Sequence, residues 1–291
     1  MQRQSSLPGL GLLALSVVLA ASAASAQADT GVRLERSAAR VVIIPENRAD
    51  VAYQVTPSAT PGLSTFQVRH DGAVLVLDQG LGPAGPFGLI NLNCMGSGER
   101  ARVRIPGHGI VAVRDLPLVT IRTPKTARVA AAAAVYGEVR PADALELSSA
   151  GCGDWRVGTV KGALGLRLSG SGDVRAEGAG GAVVNVSGSG DVELGGVKSL
   201  DVAIAGSGDV HVATVDGPIA ARITGAGDLR VDGGAAPSVQ AKIAGSGDIR
   251  FGGVAGSVSA QVAGSGDVDI ARATGPVAKR VAGSGEVNVG R

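Results

Sequence analysis

From residue 151 onward the apolar positions alternate with polar ones at period two. The clearest sets are Leu164/Leu166/Leu168, Ala182/Val184/Val186, Leu200/Val202/Ile204, Ile219/Ala221/Ile223, Val239/Ala241/Ile243 and Val258/Ala260/Val262. Period two puts each set on one face of a strand and turns Arg167, Asn185, Asp201, Arg222, Gln240 and Gln261 to the other. Shorter pairs lie between them, among them Val174/Ala176, Val192/Leu194, Val210/Val212 and Val268/Ile270. Nothing here has a helical period. Residues 32–34, 40–44, 51–55, 66–69, 73–77 and 101–105 predict further, less regular strands, and residues 130–134 fit the start of a short helix as well as a strand.

The strands are punctuated by a repeat. Gly-Ser-Gly-Asp, with small variations, begins at Gly151, Gly170, Gly188, Gly206, Gly225, Gly245, Gly264 and Gly283, at spacings of 18–20 residues. A unit of that length holds two or three short strands and their corners. It cannot bury its own apolar face, so units must stack, with equivalent strands in parallel. The expected fold is all-β: a right-handed single-stranded parallel β-helix, or β-solenoid, with 18–20-residue coils and a β-rich N-terminal cap. Its handedness follows the general preference of parallel connections. The expected organisation is a leader at residues 1–28, a cap region at 29–112, irregular first coils at 113–150 and regular coils at 151–291. Trp155, at the first clear coil, is expected to plug or cap the stack. Lys279 falls on the inward register between Val277 and Val281, which predicts an open end where its stem can reach solvent.

The leader reading rests on an apolar run at residues 9–20, preceded by Arg3 and followed by small residues ending Ala26-Gln27-Ala28. This is the pattern of a secretory signal peptide cleaved before Asp29, and the run is short for a membrane span. No transmembrane segment is expected after cleavage. Export places Cys94 and Cys152 in an oxidising compartment, periplasmic or extracellular in a Gram-negative bacterium, where a structural disulfide between them is expected.

Composition then narrows the chemistry. Glycine makes up 46 of 291 residues, 32 of them in residues 151–291, where they mark corners. Only six residues are aromatic and the net charge is +2, which argues against nucleic acid as a partner. The corner acids form a ladder: Asp154, Asp173, Asp191, Asp209, Asp228, Asp248, Asp267 and Glu286. Stacked carboxylates repel unless something answers them. Two readings stand: hydrogen bonds from corner amides or from the adjacent serines Ser171, Ser189, Ser207, Ser246 and Ser265, or calcium held by Asp173, Asp191, Asp209, Asp248 and Asp267. No other cofactor is expected. Two cysteines and three scattered histidines lack zinc-ligand spacing.

Asp115-Leu116-Pro117, Gly151-Cys152-Gly153-Asp154-Trp155 and the run of Gly-Ser-Gly-Asp-Val corners resemble the bacterial family described as "putative auto-transporter adhesin, head GIN domain". The resemblance covers about residues 35–291. It implies an exported β-solenoid and carries over no catalytic residues. The leading functional expectation is a non-enzymatic structural, adhesion or binding module of the cell envelope, its partner an envelope polymer or protein. The strand at residues 287–289 would leave an open edge, which adds end-to-end self-association. The alternative is a polysaccharide-acting β-helix enzyme, a lyase or hydrolase, with His211 beside Asp209 as its candidate base.

Overall fold

Stacking turns the alternation into a core. In the computed structural model, which describes residues 30–82, 92–96 and 98–291, the inward row Leu200, Val202 and Ile204 lies in register with Ile219, Ala221 and Ile223 of the next coil. Val239, Ala241 and Ile243 follow, then Val258, Ala260 and Val262. All of these side chains are buried. Each fully buried Val, Leu or Ile contributes on the order of 1.5–3 kcal/mol. A one-residue slip of any strand would turn its whole apolar row to solvent, so the register is strongly set. Strands make up 67% of the chain, in about nine turns of about 19 residues. The protein is a β-solenoid. The leader assigned to residues 1–28 and most of the Gly- and Pro-rich loop at residues 80–88 lie outside the described residues.

Parallel stacking reaches back further than the sequence pattern suggests. Gly31–Glu46 is itself a coil: it pairs in parallel with Thr126–Val139 on one side and with Val74–Asp78 and Leu118–Pro124 on the other. The region read as a cap, residues 29–112, therefore contributes to the stack proper. The alternation of this strand is hidden by a break in the middle, where Arg36 has a φ of 44° and Ser37 is buried. Arg36 turns out to hold the buried carboxylate of Asp78. Burial alone pushes Asp78 up, but the Arg36 guanidinium and the Gly80 amide more than offset it and hold the carboxyl below its ordinary range. The N-terminal end is closed by two antiparallel strands, Gln67–Asp71 on Val74–Asp78 and Ala52–Thr56 on Leu118–Pro124. The alanine run belongs to the strand Thr126–Val139.

A three-stranded antiparallel sheet, Asn93–Met95, Arg102–Ile105 and Gly109–Ala112, packs beside the stack around its own apolar cluster of Leu63, Val103, Ile105 and Leu116. The disulfide between Cys94 and Cys152 joins this sheet to the first Gly-x-Gly-Asp corner. Trp155 does not cap the start of the stack. It is 1% exposed, well inside, and its ring lies where a side chain on Gly137 of the preceding coil would stand.

The C-terminal end is open. In Val277–Gly283, Val277 and Val281 are 40% and 43% exposed. Lys279 takes the inward position between them and donates from Nζ to the carbonyl of Val287 at 2.7 Å. An inward-pointing charge on a bare strand edge is a known guard against edge-to-edge pairing.

Two predictions follow from these contacts. Because the bridge closes a long loop, replacing both Cys94 and Cys152 with serine is expected to lower unfolding stability by about 2–5 kcal/mol. Chemical denaturation reads this directly, and an unmoved midpoint would show that the side sheet holds without the bridge. Lys279→Val removes the charge from the open edge. Light scattering is expected to show mass rising with concentration for that variant beyond the wild type, while equal masses throughout would mean that another feature guards the end.

Candidate functional site

The corners explain the acids. The first glycine of each corner directs its carbonyl at the coil that follows, where it accepts two amides at once. Gly170 takes Ser189 and Gly190 at 2.9 and 3.2 Å, and Gly188 takes Ser207 and Gly208 at 2.9 and 3.1 Å. A Cβ on Gly188 would overlap that carbonyl of Gly170, and one on Gly206 would overlap Gly188. Gly206 also has a φ of 157°, a region few side chains adopt. The corner is glycine because the preceding coil's backbone occupies the space a side chain needs.

The carboxylates complete the same joint. Oδ1 of Asp154 accepts the amide of Asp173, and the pattern repeats from Asp173 to Asp191, Asp191 to Asp209, Asp209 to Asp228, Asp228 to Asp248, Asp248 to Asp267 and Asp267 to Glu286, at 2.8–3.2 Å. The donor is thus the amide of the equivalent acid one coil on, not a neighbouring serine hydroxyl. Repulsion along the ladder is answered by an amide at each step. Asp154, at the start, is raised above the ordinary carboxylate range by burial first, with the charge of Asp173 adding to it. Of the residues weighed as calcium ligands, Asp173, Asp191, Asp209, Asp248 and Asp267 each commit one oxygen to this ladder. Among the described residues no group of three or more His, Cys, Asp or Glu is placed to hold a metal ion.

His211 stands apart from Asp209. Its Nε2 lies 2.7 Å from Oδ2 of Asp232 on the next coil, and Arg230 donates to the other oxygen at 2.7 Å. The hydrogen bonds from His211 and then Arg230 hold Asp232 below its usual range. The pair belongs to an outward row of interleaved charges on the first-strand face. Arg175 meets Glu193 at 2.8 Å there, and Arg250 meets Asp248 and Asp269 at 3.0 and 3.4 Å.

The second face, formed by the strand that follows each first strand and is the longer of the two in most coils, carries a groove. One section of about 780 Å³ runs over Arg128, Glu146, Gly165, Arg167, Val183 and Asn185. A second, of about 490 Å³, continues over Asp201, Ala220 and Gln240. The two meet at Ala163 and Val183. The outward row Gly165, Val183, Asp201, Ala220, Gln240 forms the floor, and small side chains at Gly165 and Ala220 give it depth. Val183 is 49% exposed in the middle of it. At the near end Glu146 is held by Arg128 at 3.0 Å and by Arg167 at 3.9 Å. From Arg128 to Gln240 the groove crosses seven strands, roughly 29 Å along the solenoid axis. Alternation marked Arg167, Asn185, Asp201 and Gln240 as outward. It could not show that small residues aligned between them make a channel, because that depends on register across six coil steps.

Stacked corners and one long open face define a β-solenoid domain with a continuous outward surface. The family described as "putative auto-transporter adhesin, head GIN domain" matches residues 121–215 and 214–290, and the chain belongs to it. A solved structure of a "putative lipid binding protein" from Parabacteroides distasonis is similar at 15% identity and a TM-score of 0.46, covering 91% of this chain and 94% of that one. A comparison with curated proteins finds no match. No helix among the described residues is long and apolar enough to cross a membrane.

If the acids serve the joint, Asp209→Ala strands the amide of Asp228 and is expected to cost about 1 kcal/mol, with Asp209→Asn, which keeps an acceptor, costing less. Thermal melts of both variants, each with added Ca²⁺ and with a chelator, check this. Equal losses for the two variants, or a melt that rises with calcium, would contradict an amide-holding role.

Proposed function

We propose that the protein is an exported, non-enzymatic binding module of the cell envelope, and that its ligand lies extended along the groove of the longer-strand face. The observation that carries the reading is the groove itself. It is long and shallow, and it is laid on backbone that the corner joints hold coil by coil. Such a surface suits a polymer or an extended chain better than a small molecule, which would call for an enclosed pocket. A rigid platform also saves the ligand the ordering cost a mobile surface would impose. The family description, an adhesin head domain, agrees with binding rather than turnover. The leader at residues 1–28 and the disulfide suit export, to the periplasm or the outer surface of a Gram-negative cell.

A polysaccharide-cleaving enzyme needs acids of distinct character at a set separation. The corner acids instead recur alike in every coil and face amides, Glu146 in the groove is held by Arg128, and His211 is tied to Asp232 on the other face.

The test fills the groove without touching the core. Gly165 and Ala220 have outward positions on its floor, and the nearest atom to a Cβ on Gly165 is a side-chain carbon of Glu146 at an ordinary 3.5 Å. Gly165→Tyr and Ala220→Tyr are expected to melt like the wild type and to reduce co-sedimentation with envelope polymers by about tenfold. Unchanged co-sedimentation of both variants would place binding elsewhere. Release of new sugar ends from a polysaccharide panel by the wild type would contradict the non-enzymatic reading.

A further inference from the structure

One row beside the groove stacks cation on cation with no acid between them. In the C-terminal coils the outward residues next to the floor are Arg222, Lys242, Gln261 and Arg280, in direct register from coil to coil. Arg222 stands immediately beside Lys242, an arrangement that costs stability because like charges directly opposite one another repel. No ion pair joins Arg222, Lys242 or Arg280 to a carboxylate among the described residues, and all three are exposed. The nearest acid of the floor, Asp201, lies one coil earlier, opposite Ala220. On the first-strand face, by contrast, Arg175, Arg230 and Arg250 each meet an acid. Arg222 and Lys242 thus stack cation on cation, whereas Arg175, Arg230 and Arg250 each stand beside an acid.

The flanking rows keep this stripe accessible. Ala220, Gln240, Ser259 and Ala278 lie on one side, and Thr224, Ala244, Ala263 and Ala282 on the other. Three cations therefore project from a nearly flat floor over roughly 14 Å, with neighbouring coils about 4.8 Å apart. Between them, Gln240, Gln261, Ser259 and Thr224 offer amide and hydroxyl groups suited to a hydroxyl-rich partner. No aromatic side chain lies in these rows to stack nucleic-acid bases. Nor do they hold the large apolar side chains that would enter a lipid surface.

We propose that Arg222, Lys242 and Arg280, with Gln261 between them, bind the carboxylates of a linear acidic polysaccharide lying along the solenoid axis. This rests on the groove reading and names the ligand class where the ligand would run alongside and past the groove's end at Gln240. The cations take the charges, the glutamine and the small polar residues take sugar hydroxyls, and the unfavourable stacking of Arg222 beside Lys242 is relieved when the polyanion is in place.

The experiment measures fluorescence anisotropy of labelled polygalacturonate oligomers with the purified protein, beside neutral dextran and vesicles of phosphatidylglycerol. Saturable binding to polygalacturonate is expected, weakening as salt is added and absent for dextran. The variant Arg222→Gln/Lys242→Gln/Arg280→Gln is expected to melt at or slightly above the wild type, as like-charge repulsion is removed, and to bind at least about tenfold more weakly. The matched variant Arg175→Gln/Arg230→Gln/Arg250→Gln removes the same charge from the first-strand face and is expected to bind as the wild type does. Equal losses in the two triple variants would reduce the effect to net charge and overturn the proposal. So would binding to vesicles without binding to polygalacturonate, or no binding to either. If polygalacturonate fails while Gly165→Tyr still reduces co-sedimentation with envelope polymers, the groove reading stands and the acidic ligand falls. If Gly165→Tyr and Ala220→Tyr are also without effect, both fall.

Discussion

The structure depends on one backbone contact repeated up the stack: a corner glycine carbonyl accepting two amides from the next coil. This contact requires the carbonyl to occupy the space where a Cβ would stand, so the residue above it must be glycine. It fixes the height of each coil and the rotation between coils. Every inward aliphatic residue then lands on its equivalent, Leu200 on Ile219 and Ile219 on Val239. The acid that closes the corner belongs to the same joint, since its carboxylate holds the next coil by the amide of the next acid. Geometry and charge thus solve one problem together. A row of stacked carboxylates, unfavourable by itself, becomes a row of charge-assisted hydrogen bonds.

This division of labour frees the outward faces. With the core aliphatic and the corners committed to backbone, neither strand face is needed for stability beyond its alternation. The first-strand face carries interleaved ion pairs such as Arg175 with Glu193 and His211 with Asp232, exposed contacts that each add little. The longer-strand face carries a groove and a line of uncompensated cations. Where a fold tolerates a local arrangement that costs stability, a ligand is the natural place to look for the return. The six aromatic residues suit the same scheme: the interior is thin, Trp155 fits only because Gly137 faces it, and the outward rows display polar and small groups instead.

Much of this was legible in the chain itself. The period of two, the Gly-Ser-Gly-Asp spacing and the outward placement of Arg167, Asn185, Asp201 and Arg222 followed from residues alone. They led to the solenoid and to the family. What escaped was long-range. The sequence offers corner amides or adjacent serines as donors to the carboxylates; that the donor is the equivalent acid's own amide, 18–20 residues away, depends on how the coils stack. The corner at Gly151 rests on the carbonyl of Ala133, which has a φ of 83° without being glycine, so no motif marks the step before it. The coil Gly31–Glu46 is interrupted by Arg36 and Ser37, whose roles emerge only when Asp78 arrives from a later strand. The groove exists because Gly165 and Ala220 fall in one row across separate coils, a matter of register and not of local pattern.

Native-state hydrogen exchange on the corner amides tests the central claim most directly. If the glycine carbonyls and acid carboxylates hold the coils together, the amides of Ser189, Gly190, Asp191, Ser207, Gly208 and Asp209 will exchange slowly, as slowly as those of the buried strands beside them. Protection will fall toward the open end at Ser284, Gly285 and Glu286. Corner amides that exchange at the rate of exposed loops while the strands stay protected would show that the corners merely turn the chain, and that the stack is held by its apolar core alone.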